Sequence, residues 1–203
     1  MSIVRILAAA LLASSLSACA SNRFEADVVR FHRNDVAEVA TVSLRPADPN
    51  LAQTLEFQSY AEILGQRLAS HGFRPAANGA ADLIGEVGYV TATRSALRDG
   101  RSSSPVSVGV GVGGVGSNVG VSVGTAFGIG GGKSKGGTRV HTLSLRLMQP
   151  DGSTVWEGRA VAEVSTDQKD DLPSVFPRLA DALLSDFPGP SGTTTRYVEP
   201  SGR

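Results

Sequence analysis

The sequence predicts an α+β domain in which two helices cover one face of an antiparallel sheet of about four strands, in the order β-α-β-β-β-α. Three observations support this class. Apolar and polar residues alternate from His141 to Leu147, as in a strand with one buried face. Apolar residues recur at spacings of three and four between Leu51 and His71, which indicates an amphipathic helix. The turn sequence Gln149-Pro150-Asp151-Gly152 separates two strand-like segments and predicts a hairpin.

The first half of the domain contains two short candidate strands, the first helix and one further strand. Two short strands, Ala26–His32 and Glu38–Leu44, come first, and only the second is apolar enough to be central. Prolines and an asparagine at 46–50 then lead into the helix, which Gly72 stops. The third strand runs from Leu83 to about Arg94.

The second half contains the hairpin and the second helix. The strand at 141–147 is expected to pair with Thr154–Val164. Asp170 and Asp171 precede the second helix, where acidic side chains favour the positive end of the helix dipole. Pro188-Gly189-Pro190 ends this helix, and the polar segment 189–203 is expected to be a disordered tail.

The N-terminus has the layout of a bacterial lipoprotein signal peptide. Arg5 precedes a short apolar run that is too short to span a bilayer core of about 30 Å. The run ends in Leu16-Ser17-Ala18-Cys19, which resembles a lipobox. We therefore expect a signal peptide over 1–18, cleavage between Ala18 and Cys19, and lipidation of Cys19. Residues 19–23 are then a tether, and 24–188 form a single domain.

The alternative is an ordinary signal peptide cut after Ala18, which would leave Cys19 as a free thiol. Cys19 is the only cysteine of the chain, so no internal disulfide can form. An unpaired thiol is a liability in an oxidising compartment, which favours lipidation. The next residue, Ala20, is not aspartate, and this pattern resembles sorting to the outer membrane. The expected location is the outer membrane, facing the periplasm.

Composition limits the classes of partner. The chain has 19 basic and 19 acidic residues, so it lacks the excess of positive charge that nucleic-acid binding requires. It also has one tryptophan and three tyrosines, too few to suggest a stacking platform for bases or sugars. The expected partners are the membrane, through the lipid anchor, and either envelope proteins or further copies of the chain.

A glycine-rich insertion at about 102–137 interrupts the domain. Val106–Gly132 carries no charge and alternates valine with glycine or serine. If the chain folds back at Val115-Gly116, Val108 faces Val123 in a two-stranded ribbon. Three interpretations remain open: a flexible loop, a ribbon that extends the sheet or pairs with a second copy, and a hairpin that inserts into a membrane as part of an oligomer.

The sequence contains no convincing catalytic or metal-binding motif. The histidines, His32, His71 and His141, lie far apart in sequence and lack the spacing of a zinc site. Gly109–Gly114 matches G-x-G-x-x-G by accident, because no helix and no suitably spaced acidic residue follow it. We therefore expect a non-enzymatic protein without cofactor or metal. A hydrolase of the envelope is an alternative that would require a pocket joining His141 to acidic side chains.

Four segments resemble the bacterial lipoproteins of the family called domain of unknown function 4136 (DUF4136): Leu64–Phe73, Ala81–Ile84, Val155–Ala160 and Asp186–Pro188. The resemblance extends from about Phe24 to Pro188 and includes the glycine-rich insertion. It implies an anchored envelope domain and brings no catalytic residues with it. The function expected from the sequence is a structural, binding or assembly role in the cell envelope.

Overall fold

The computed structural model describes residues 23–33, 40–76, 81–94, 108–110, 123–125, 138–165 and 171–201. These residues form two sheets, two α-helices and one 3-10 turn. The elements in chain order are β1 (Glu25–His32), β2 (Thr41–Pro46), the 3-10 turn (Pro49–Leu51), α1 (Leu55–Ser70), β3 (Arg74–Pro75), β4 (Leu83–Arg94), β5 (Val108–Val110), β6 (Val123–Thr125), β7 (Thr138–Met148), β8 (Thr154–Ser165), α2 (Leu172–Leu184) and β9 (Thr194–Val198).

The main sheet is mixed and has seven strands in the order β3-β2-β4-β7-β8-β1-β9. The predicted antiparallel sheet of about four strands is therefore wrong, although the α+β class is consistent with the structure. β2 pairs in parallel with both β3 and β4, and the remaining pairs are antiparallel. The cause is α1, which carries the chain back along the sheet so that the strand after it runs in the direction of β2.

The two ends of the domain sequence meet in the sheet. β9 pairs with β1, from Glu25 opposite Val198 to Val29 opposite Thr194. The backbone N–H of Glu199 also donates to the carbonyl oxygen of Phe24 at 2.9 Å. The predicted disordered tail at 189–203 is therefore wrong, because part of it forms an edge strand. β1, which was expected to be peripheral, lies between β8 and β9.

Both helices begin at the residues that their sequences favour. The Thr54 hydroxyl accepts from the N–H of Phe57 at 3.1 Å, and the Asp171 carboxylate accepts from the N–H of Ser174 at 3.2 Å. These bonds satisfy amides that lack partners inside the helix. Asp171, one of the two acidic residues expected at the start of this helix, is its N-cap. α1 ends at Ser70 with His71 as its C-cap, and Gly72 follows with φ 91°, a conformation that glycine adopts at little cost.

The core lies between the sheet and the two helices. α1 contributes a stripe at the predicted helical spacing, and α2 contributes Phe176, Leu179 and Leu183. The stripe of α1 consists of Phe57, Tyr60, Leu64 and Leu68. Leu143, Leu145 and Leu147 of β7 face this layer, as their alternation predicts, and Trp156 of β8 is fully buried beside them.

The insertion contains a separate two-stranded sheet. β5 and β6 pair antiparallel, with Val110 opposite Val123 and Val108 opposite Thr125. The predicted register, with Val108 opposite Val123, is wrong by two residues. Val115-Gly116, the predicted fold-back point, lies outside the described residues.

Candidate functional site

The predicted lipidation site precedes the folded domain directly. Cys19 and Ala18 lie outside the described residues, so lipidation and cleavage there stay predictions. The first strand begins at Glu25, six residues after Cys19. Any anchor at Cys19 is therefore attached to the domain through a very short segment.

The glycine-rich insertion leaves and rejoins the sheet at one end. Arg94, the last residue of β4, pairs with Thr138, the first of β7, and Thr138 pairs with Ser165 at the end of β8. β1 runs antiparallel to β8, with Asp27 opposite Val161, so Glu25 lies at the same end. We call this end, defined by Glu25, Arg94, Thr138 and Ser165, the insertion end. The turn at 149–153 marks the opposite hairpin end.

The three histidines occupy unlike positions. His32 Nε2 lies 2.8 Å from the carbonyl oxygen of Gly189, and His71 follows the last turn of α1 with its ring against Phe187. His141 is fully buried in β7, and its Nδ1 lies 3.1 Å from the Thr91 hydroxyl. The structure thus places the three candidates in three different elements of the fold rather than in one pocket.

An aromatic cluster lies between the helices and β4. The Tyr60 ring stacks on Phe176 with 4.0 Å between centroids, and Tyr89 meets Tyr60 edge-on at 4.8 Å. The Tyr60 hydroxyl donates to the Glu56 carboxylate at 3.2 Å. Burial and the nearby Glu56 charge raise the pKa of both Tyr60 and Tyr89. Both phenols therefore stay protonated at neutral pH, so neither supplies a base.

Arg30 of β1 is the most deeply buried charged residue among those described. Its side chain has a relative exposure of 1%, and its Nη2 donates to the carbonyl oxygen of Ala182 at 3.0 Å and to the Ser185 hydroxyl at 3.3 Å. Burial lowers the pKa of the guanidinium, and the Asp186 charge partly offsets this effect. Since the contacts are to the last turn of α2, this arginine holds the helix end against the sheet.

The sheet face opposite the helices carries a row of ion pairs. Arg45, Glu86, Arg146 and Glu157 lie opposite one another on β2, β4, β7 and β8. The N···O distances along the row are 3.0, 3.5 and 3.6 Å. Neighbouring charges of opposite sign compensate one another, so the row is a hydrated, polar surface rather than a charged groove.

In the described part of the chain, no group of three or more His, Cys, Asp or Glu side chains is placed to hold a metal ion. No helix in the same residues is long and apolar enough to cross a membrane.

The sequence matches a known family over most of its length. Residues 26–189 match the family described as domain of unknown function (DUF4136). The chain belongs to the DUF4136 family. The predicted resemblance is confirmed, although the family description states no biochemical activity. The chain is also 30% identical over 209 residues to an uncharacterized protein of Zymomonas mobilis, an alignment that covers 84% of this chain and 79% of that protein.

Two solved structures resemble this chain to different degrees. A PDZ domain protein from Parabacteroides distasonis is similar over 94% of this chain, with a TM-score of 0.53 and 14% identity. This DUF4136 chain spans only 42% of that protein. A PelC dodecamer from Paraburkholderia phytofirmans gives a TM-score of 0.40 and 16% identity, over 79% of this chain and 95% of that one. At 14% identity the likeness to the PDZ domain protein concerns the fold alone.

Sequence reasoning did not single out Arg30 or the aromatic cluster. The alternation Ala26, Val28, Arg30 was a usable signal, because the first two residues place Arg30 on the buried side of a strand. No comparable signal predicted the contact between Tyr60 and Phe176, which joins residues on two helices that are distant in sequence.

Proposed function

We propose that this DUF4136 protein is a non-enzymatic lipoprotein, held in the outer membrane by acyl chains on Cys19, whose folded domain faces the periplasm and serves in binding or assembly of the envelope. The observation that carries the proposal is Leu16-Ser17-Ala18-Cys19 at the end of a short apolar leader, in a chain with no second cysteine. A cysteine that bears more than one acyl chain supplies the stable attachment that a single chain cannot.

The position of the domain supports this proposal. Six residues from Cys19 to Glu25 reach about 20 Å at most when fully extended. A tether of that length suits a domain that works beside the membrane, since it keeps β1 close to the lipid. The separate settings of the three histidines favour a binding role over hydrolysis.

The test is the intact mass of the full-length protein extracted from bacterial membranes, together with density fractionation. The expected product begins at Cys19, carries acyl mass and sediments with the outer membrane. Cys19→Ala is expected to lose both the acyl mass and the membrane association.

A matched control adds Ser21→Cys to Cys19→Ala, which restores a thiol two residues beyond the lipobox. This double variant is expected to stay unacylated, because the modification depends on the position of the thiol. A native protein cut after Ala18 with an unmodified Cys19 would contradict the proposal.

A further inference from the structure

The seven-stranded sheet ends at β9, and no described residue pairs with the outer side of this strand. We propose that β9 pairs with β9 of a second copy of the chain, antiparallel and about a two-fold axis at Thr195. The two sheets are then continuous across the pair. This surface and its partner go beyond the proposed function, which names neither.

Every second residue of β9 directs its backbone groups away from β1. The N–H of Glu199 donates to the carbonyl oxygen of Phe24 at 2.9 Å, so the residues at odd positions of β9 bond to β1. The residues at even positions direct an N–H and a carbonyl oxygen to the free edge: Thr194, Arg196 and Val198. The partner that fits this row of donors and acceptors is another extended backbone.

β9 lacks the features that protect edge strands from pairing. No proline lies within Thr194–Val198, and the register with β1 is continuous. Its one charged side chain, Arg196, is turned over the sheet, where Nε and Nη2 donate to the Asp27 carboxylate at 3.0 and 3.2 Å. The opposite edge differs, because β3 has only two residues and one of them is Pro75. The edge at β9 is therefore the one that can receive a further strand.

The sequence of β9 favours a second copy of itself in one register. With Thr195 on the two-fold axis, the two Thr195 residues lie opposite each other, and Arg196 lies opposite Thr194 of the second copy. Cross-strand threonine pairs are favourable, and no like charges meet. An axis at Arg196 would instead place two arginines opposite each other. An axis at Tyr197 would place Thr194 opposite Pro200, which has no N–H to donate.

The helix layer leaves room for this pair. α2 packs mainly on β7 and β8, and β1 separates β8 from β9. The β8 strands of the two copies are then about 24 Å apart, or five strand spacings of about 4.8 Å, which exceeds the 8–10 Å between packed helices. The shared edge is short, so its affinity is expected to be low. The proposed anchoring at Cys19 supplies the local concentration that such a contact needs, and in this respect the inference rests on the proposed function.

Disulfide trapping of the full-length protein in its membranes tests the pair. An axis at Thr195 brings the two Thr195 Cα atoms to about 4.5 Å, within the range that a disulfide spans. The two Val198 Cα atoms are then about 20 Å apart along the strands. Thr195→Cys is therefore expected to form a disulfide dimer of two chains with at least about ten times the yield of the control, Val198→Cys. Random collision would give the opposite order, because Val198 is more exposed than Thr195.

A proline on the free edge tests the backbone hydrogen bonds directly. Thr194→Pro removes an N–H that points away from β1, so the bonds between β1 and β9 are kept. Added to Thr195→Cys, it is expected to lower the disulfide yield about tenfold, because the pair loses two main-chain hydrogen bonds. Thr194→Ser is the matched control and should keep the yield. Urea midpoints under reducing conditions should be alike for all these variants, which shows that each one is folded.

Equal yields from Thr195→Cys and Val198→Cys would overturn the inference, as would a disulfide between Thr195→Cys and a different protein, or a yield that the proline does not change. Intact mass of each sample distinguishes these results from failure of the proposed function. Acyl mass on Cys19 without a Thr195→Cys dimer refutes the pairing alone. An unacylated Cys19 refutes the anchor, and the same comparison in the Cys19→Ala background at high protein concentration then decides the pairing.

Discussion

The Nε of Arg30 donates a hydrogen bond of 2.9 Å to the carbonyl oxygen of Leu183, in the last turn of α2. The two residues are 153 positions apart in sequence. Carbonyl groups at the end of a helix lack partners within it, and here a buried guanidinium from β1 satisfies two of them. The contact ties the first strand of the domain to its last helix.

Arg30→Met should therefore destabilise the domain strongly. The methionine fills much of the space but leaves buried carbonyl groups without donors, at an expected cost of about 2–4 kcal/mol in the free energy of unfolding. Urea denaturation monitored by circular dichroism measures this cost. Arg196→Met is the control, because the Arg196 side chain is 55% exposed, and its loss should cost no more than about 1 kcal/mol. Equal costs would show that the Arg30 contacts contribute little.

Gly189 is required beside Arg30. Its φ is 74°, and a Cβ on it would lie 2.7 Å from Arg30 Cδ. Hydrogen bonds hold the arginine head, so its stem cannot move away freely. Gly189→Ala should lower the free energy of unfolding by about 2–4 kcal/mol, from the left-handed backbone and overpacking together.

Gly152→Ala is the control, and it measures the backbone contribution alone at about 1 kcal/mol, since Gly152 has φ 88° with nothing within 4 Å of the added Cβ. Thermal or urea unfolding compares the two, and a Gly189→Ala cost no larger than that of Gly152→Ala would exclude the predicted clash.

The C-terminal strand should contribute to stability. A chain that ends at Gly192 loses β9, including the half-buried Tyr197, and also the Glu199 carboxylate 3.1 Å from Arg178. The expected cost is about 2–4 kcal/mol in unfolding free energy, because apolar area and strand hydrogen bonds are lost together. A chain that ends at Pro200 keeps the strand and should unfold like the full chain. Rapid amide exchange throughout 194–198 in the full chain would contradict this prediction.

Asp82 should make the domain less stable in acid. Its Oδ2 accepts from the backbone N–H of Thr41 at 2.8 Å and from the Thr41 hydroxyl at 2.7 Å. Both bonds lower the pKa of Asp82 below its usual value of 3.8, and the bond from the backbone N–H has the larger effect. The Asp82 carboxylate therefore binds a proton more readily in the unfolded chain than in the folded one. The stabilisation that it contributes is complete above its unfolded pKa and is lost as pH falls through its folded pKa.

Asp82→Asn should therefore lower stability at neutral pH and flatten its decline below about pH 4. Urea unfolding at a series of pH values measures both effects. Thr41→Val removes the hydroxyl, which donates to the Asp82 carboxylate and accepts from the N–H of Asp82 at 3.0 Å, but keeps the backbone N–H donor, so it should reproduce part of the change in the acid slope. An unchanged acid slope in Asp82→Asn would show that this carboxylate is not coupled to folding.

The local sequence pattern was sufficient to predict α1, the β7–β8 hairpin and the start of α2. Helical spacing, strand alternation and caps such as Asp171 act between residues a few positions apart, so the sequence exposes them directly. A strand-helix-strand order is typical of two parallel strands, because the helix carries the chain back along the sheet. The predicted antiparallel sheet did not take this into account for β2 and β4. The predicted lipidation of Cys19 likewise depends on a short local motif.

Long-range pairing decided the position of β9, the burial of Arg30 and which strand ends lie together. Nothing near Thr194–Val198 specifies β1 as its partner, and a five-residue polar strand is stable only when a sheet edge receives it. Arg30 is acceptable in a buried strand because Ala182 and Leu183 bring carbonyl groups to it from the far end of the chain. The positions of Glu25, Arg94 and Thr138 at one end of the sheet likewise follow from strand order and direction, which only the packing of distant segments establishes.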